Sequence, residues 1–178
     1  MAAKNRGHYF ATSTPGHIEI SPSPQLNIDL TISSWIRLDV LNSTNAIFAH
    51  DSDSATPLQI LNFSITSAGK LRLLIGNPTN SYNGNETVDS SSTIPAKDWK
   101  FVAASIQLRA DAISNRIKFN IDATEDSEVF TSQYYFLDKD SNVKTTIGAS
   151  RNGNQSSGFN SDNPFKGFIY GIWVENVY

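Results

Sequence analysis

FKGFIYGIWVENVY, Phe165 to Tyr178, alternates large apolar residues with Gly167 and Gly171 at the end of the chain. A strand that is apolar on both faces needs cover on both, so this segment is expected to close a layered β-structure from the inside. Glycine in a strand removes a side chain where another backbone or sheet comes close, which is the expectation for both positions.

The same reading extends upstream. In IDLTISSWIRLDV (28–40), Ile28, Leu30, Ile32, Ser34, Ile36 and Leu38 alternate with Asp29, Thr31, Ser33, Trp35 and Arg37. One face of that strand is almost purely apolar and belongs in a core. WKFVAASIQL (99–108) carries Trp99 and Phe101 on one side and Val102 and Ile106 near them, as expected of a central strand between layers. It is read as a hairpin with NRIKFNIDA (115–123). Further strands are expected at HYF (8–10), HIEI (17–20), NAIFAH (45–50), PLQILNFSIT (57–66), KLRLLIG (70–76) and VKTTIGA (143–149). TSAG between two of them is a glycine-bearing hairpin connector. No helical stripe exceeds one turn, although ADAISN (110–115) suits a short one. The segments 77–93 and 150–164 read as long polar connectors, which are either functional or solvated surface ornament. Glu125, Asp126 and Glu128 read as an acidic turn.

At 178 residues the chain fits a single domain spanning 1–178, cut from a larger protein. A net charge of −3, with basic residues scattered from Lys4 to Lys166, argues against nucleic acid as a partner. No apolar run is long enough to insert in a membrane, and the N-terminus lacks the apolar stretch of a signal peptide. With no cysteine there is no thiolate or zinc–thiolate chemistry. His8, His17 and His50 are far apart in sequence, and there is neither a G-x-S-x-G elbow nor a phosphate loop. Sequons at Asn42, Asn62, Asn85 and Asn154 tilt the reading toward a secreted protein. Asn62 lies inside an expected strand, where a glycan fits only on a face open to water.

The order of LTISSWIRLD, IFAH, GKLRLLIG, WKFVAAS, IKFNIDA, TTIGAS and FKGFIYGI resembles the laminin G-like members of the concanavalin A-like superfamily, which also includes pentraxins. The resemblance implies an all-β fold, a two-sheet antiparallel jelly-roll sandwich with ligand loops at one rim. Fold alone leaves function open.

The resemblance also implies a calcium ion on the rim in many relatives. Its ligands would fall here at Asp53 with neighbouring Asp51, at Asp140 with Asp138 near it, and at a carbonyl from about Asn77. Oxygen ligands on adjustable loops are the right chemistry for that ion. The competing reading is that HDSDS and DKDS are ordinary acidic turns. Glucanases of the superfamily carry an E-x-D-x-x-E type strand; this chain has none, and Glu125, Asp126 and Glu128 do not reproduce it.

As sugar platforms, the sequence offers Tyr82 with Asn83, and Phe159 with Asn152, aromatics set among Asn, Ser and Gly. Trp35, Trp99 and Trp173 lie in apolar-rich strands and are expected in the core. The function expected is a non-catalytic extracellular or cell-surface recognition module. Its partner would be a glycan or an extracellular protein, bound through rim loops. The alternatives are a structural domain of a surface fibre or appendage, and a glycan-active enzyme.

Overall fold

A computed structural model describes residues 7–11, 16–24, 26, 29–52, 59–76, 86–107, 116–122, 124–129, 143–150 and 163–175. The described chain forms β1 (His8–Phe10), β2 (Ile18–Ile20), β3 (Asp29–Leu38), β4 (Asn45–Ser52), β5 (Gln59–Ile65) and β6 (Lys70–Ile75). It continues through β7 (Glu86–Thr93), β8 (Trp99–Gln107), β9 (Arg116–Ile121), β10 (Thr124–Val129), β11 (Val143–Ile147) and β12 (Gly167–Glu175). Every ladder is antiparallel. Sheet A has the order β1-β12-β3-β8-β9-β10 and sheet B the order β2-β11-β4-β5-β6-β7. The architecture is the expected all-β, two-sheet jelly-roll sandwich.

Alternation in β3 does what the pattern demands: Leu30, Ile32, Ser34, Ile36 and Leu38 are buried, and the intervening residues face outward. They meet Val102, Ala104, Ile106 and Phe119 of sheet A and Phe48, Phe63, Leu71 and Leu73 of sheet B in one core. The TSAG connector turns as expected. Gly69 takes a φ of 81°, its N–H donates to the Thr66 carbonyl at 2.9 Å, and the Thr66 N–H donates to the Lys70 carbonyl at 2.8 Å.

Two strands lie where the sequence suggested none. The connector read across 77–93 contains β7, and the acidic segment read as a turn is β10, paired with β9 so that Glu125 faces Asn120 and Asp126 faces Phe119. Both lie at sheet edges, where one side is solvated and apolar alternation is not needed; polar residues also discourage pairing with another chain. Side chains hold them in place. Arg72 grips Asp89 with two hydrogen bonds of 2.6 and 2.8 Å, and the Leu71 N–H donates to Ser90 Oγ at 2.9 Å. Asp126 Oδ2 accepts from the Ser92 N–H at 2.9 Å and so joins the adjoining edges of the two sheets. The region 110–115 lies outside the described residues.

The closing strand corrects one expectation. β12 lies between β1 and β3, and its outer face is not covered: Phe168 and Tyr170 are half-buried and Trp173 is exposed. The glycines serve different ends. A Cβ on Gly167 would stand 2.0 Å from the Arg37 carbonyl oxygen, which is the close backbone approach anticipated. Gly171, with a φ of 66°, is the extra residue of a β-bulge: Tyr170 pairs with Trp35 and Ile172 pairs with Ser34. The Ser34 hydroxyl donates to the Gly171 carbonyl at 2.7 Å, which satisfies the one polar side chain on the inner face of β3.

Candidate functional site

The rim comes first, because most of the sequence-derived site residues belong to it. Asp53, Asn77, Tyr82, Asn83, Asp138, Asp140, Asn152 and Phe159 lie outside the described residues; Asp51 lies within them. The strand ends from which their segments leave are nevertheless placed by register. Val143 pairs with Ser52, Asp51 with Gln59, Leu61 with Ile75, and Ile75 with Glu86. The exits to 53–58, 77–85 and 130–142 therefore gather at one end of sheet B.

Ser150 and Asn163, which bracket 151–162, lie at the other end. The Asn163 carbonyl accepts from the Ala46 N–H at 2.9 Å, and Asn163 Nδ2 donates to Ser150 Oγ at 3.2 Å. The structure thus groups the anchors for Asp53, Asn77, Tyr82, Asn83, Asp138 and Asp140, and it separates those for Asn152 and Phe159 by the length of β4. At ~3.3 Å per residue, seven steps from Asn45 to Ser52 amount to about 23 Å.

Asp51 is 1% exposed and faces Lys144 across the β4–β11 ladder. Next to it His50 is buried, its Nδ1 2.8 Å from Thr145 Oγ1 on the neighbouring strand. Among the described residues no group of three or more His, Cys, Asp or Glu side chains gathers in a way that could hold a metal ion. The candidate donors are all oxygen atoms, which suits a hard cation such as calcium.

The second site was missed from sequence. Trp35, Trp99 and Trp173 are not core residues: they are 41%, 45% and 44% exposed, on the outer face of sheet A. Register explains why. Tyr9, Phe168, Arg37 and Trp99 form one row across β1, β12, β3 and β8, and Tyr170, Trp35 and Phe101 form the next. Tyr9 stacks at 4.6 Å on Phe168, Trp99 approaches the same ring at 6.0 Å, and Trp35 approaches Phe101 at 5.5 Å. The Arg37 guanidinium lies 4.6 Å over the Phe168 ring and reaches Asp39 at 3.2 Å. Gly7, Trp35, Trp99, Phe168 and Tyr170 line an open groove of about 560 Å³.

The signal for Trp35 was available, because it shares the phase of Asp29, Thr31, Ser33 and Arg37. Trp173 had no such signal: without the bulge at Gly171 it would share the inward phase of Ile169.

At the groove end of sheet A, Asp122 closes the turn after β9. It accepts from Lys100 Nζ at 2.7 Å and from the Phe101 N–H at 3.0 Å. The hydrogen bond from Lys100 is the main cause that holds the Asp122 carboxyl below its usual range, and the same contact raises the Lys100 ammonium. Arg72 is likewise raised, first by its hydrogen bond to Asp89.

Asn62 is 6% exposed inside β5, so its sequon has no room for a glycan in the folded chain; Asn42, in the β3–β4 connection, is exposed. No described helix is long and apolar enough to cross a membrane.

An antiparallel two-sheet jelly roll defines a class, and comparison with known families assigns this chain within it. The laminin G type sequence model of the Concanavalin A-like lectin/glucanases superfamily matches residues 12–176. The chain belongs to that superfamily. A search of curated proteins finds no match.

Among solved structures it is similar to the carbohydrate-binding module, family 40, of the Ruminococcus gnavus IT-sialidase. That match has a TM-score of 0.70 at 14% identity and covers 96% of this chain and 89% of that one. The same module has been solved bound to α2,3-sialyllactose. A SAP-like pentraxin from Limulus polyphemus matches with a TM-score of 0.62 at 15% identity, covering 95% of this chain and 74% of that one. The leech intramolecular trans-sialidase matches with a TM-score of 0.69 at 15% identity, over 96% of this chain and 25% of the enzyme. At these identities the likeness concerns fold.

Proposed function

We propose that the chain is a non-catalytic recognition domain, extracellular or at the cell surface, that binds glycans through the loops at one end of sheet B. The observation that supports this is the gathering of three loop exits at the Ser52 end of the sheet, in a fold whose similar structures include a module solved with a sialylated sugar. Loops on a rigid sandwich can vary in chemistry without disturbing the core.

Calcium belongs to this proposal. Asp53 and Asp140, with Asp51, Asp138 and a carbonyl at Asn77, would hold it. When bound it would supply a positive centre for sugar hydroxyls and order the acidic loops. The described lining of the groove on sheet A, Gly7, Trp35, Trp99, Phe168 and Tyr170, contains no carboxylate of the kind glycoside hydrolysis uses. In the described acidic strand β10, Asp126 is committed to the Ser92 N–H and Glu125 lies near Lys118.

The test is a glycan array in millimolar calcium and again in chelator, with thermal melts under both conditions. Binding that is lost in chelator, with a higher midpoint in calcium, is the expected outcome, since a ligand bound by the folded state alone must stabilise it. An unmoved midpoint removes calcium, and an array blank in both buffers removes glycan recognition at the rim. Release of reducing sugar from any bound glycan would overturn the non-catalytic reading.

A further inference from the structure

We propose that the aromatic groove on the outer face of sheet A is a second binding site, separate from the rim, that takes the pyranose rings of a neutral oligosaccharide without calcium. Three observations lead there.

The first is exposure against cost. The large aromatic side chains of the core, Phe48, Phe63, Phe119 and Phe165, are fully buried, yet Tyr9, Trp35, Trp99 and Trp173 stand on one sheet face in water. Scattered apolar residues on a surface need no explanation, but a contiguous patch of this kind marks a site of interaction.

The second is order. The rings are fixed by strand register and by one another, with Phe168 between Tyr9 and Trp99 and beneath the Arg37 guanidinium, and Arg37 held in turn by Asp39. A platform already in place loses little side-chain freedom when it binds.

The third is size. A groove of about 560 Å³, lined among the described residues by Gly7, Trp35, Trp99, Phe168 and Tyr170, has the volume of a small-ligand site.

The chemistry of the lining selects the occupant. A pyranose presents an apolar face of axial C–H groups, which packs flat on an indole or phenol ring, and a rim of hydroxyls. The rings of Trp35, Trp99 and Tyr170 line the groove, and the Arg37 guanidinium, lying over the Phe168 ring, is a hydrogen-bond donor beside it. Arg37, the cation in the ring row, is already matched by Asp39, so a carboxylated sugar gains no uncompensated partner from it. The groove lies at the end of β3 that leads to Asn45, whereas the rim exits lie at the Ser52 end of the other sheet. The two sites are therefore independent.

The protein carries its own reporter, because all three of its tryptophans stand on the outer face of sheet A. The experiment titrates the chain in chelator with cellohexaose, xylohexaose, maltohexaose and mannohexaose, and with sialyllactose as the acidic comparison, reading tryptophan emission and acrylamide quenching. The expected result is a blue shift and protection from quenching with at least one neutral hexasaccharide. Trp35→Ala and Trp99→Ala are expected to weaken that binding about tenfold or more with melts close to the parent's, and Asp53→Ala to leave it unchanged. Because rim binding leaves tryptophan emission unmoved, failure of the rim reading and failure of this one are told apart.

No emission change with any neutral sugar, or a response to sialyllactose alone, overturns the proposal. So do undiminished affinity in both tryptophan variants, and a blue shift that appears with protein concentration alone together with a doubled mass, which would assign the face to a second copy.

Discussion

Deleting Gly171 should leave the facing of β12 intact, because Gly171 is the residue in excess of the pairing with β3. With the bulge, Ile172 and Val174 pack on the core while Trp173 and Glu175 face outward. Once Gly171 is removed, Tyr170 and Ile172 become consecutive opposite the consecutive residues Trp35 and Ser34, so the period-two alternation runs on unbroken and each side chain keeps its face. The burial of Ile172 and Val174 is retained, so no transfer cost is added. Ser34 loses the acceptor its hydroxyl uses, at about 1 kcal/mol.

The cost is about 1 kcal/mol, or a fall in midpoint of roughly 2–4 °C for a domain of this size. Gly171→Ala, by comparison, keeps the bulge. It adds backbone strain of about 1–2 kcal/mol at a positive φ, and its Cβ displaces the movable edge of the Trp173 indole, which lies 2.6 Å from that position. Urea unfolding followed by far-ultraviolet dichroism, with tryptophan emission of the native state read alongside, measures both variants. A deletion variant destabilised by about 3 kcal/mol or more, or one whose tryptophan emission shifts as Trp173 changes face, would refute the reasoning.

Other outcomes follow from the packing and the ion pairs. Asp122→Asn keeps the acceptor for the Phe101 N–H and removes the charge facing Lys100. A carboxyl held below its unfolded value of 3.8 contributes stability above that pH and loses it as pH falls through the folded value. The variant should therefore be slightly less stable than the parent near neutrality, a small effect given the exposure of the pair, and the difference should close as pH falls through the folded value; melts across pH 2–7 decide it. Phe119→Ala, at a fully buried position facing Asp126 and Ala104 across its two ladders, should cost about 3–5 kcal/mol by urea unfolding. Gly167→Ala should abolish the soluble folded state, because the new Cβ meets the backbone oxygen of Arg37 and no rotamer relieves it; a cooperative melt near the parent's would contradict this.

Alternation of apolar and polar residues was enough to place β3, β5, β6, β8, β9 and β12 and to stack them in two layers, because burial of one face is the largest favourable term and it is written with period two. The residues proposed for the rim fall in identifiable segments, and the strand ends show which of those segments leave from one place. The edge strands β7 and β10 escaped, since what makes them strands is a neighbour's backbone and pairs such as Arg72 with Asp89, which connect residues distant in sequence.

The outer aromatic face depended on register. Trp35, Phe101 and Tyr170 become neighbours only once three strands align, and Trp173 joins their side because one glycine adds a step to the pleat. Composition and period determined the sandwich; the tertiary structure decided which of its large rings meet water, because facing depends on pairing, and pairing is a relation between strands that no single strand encodes.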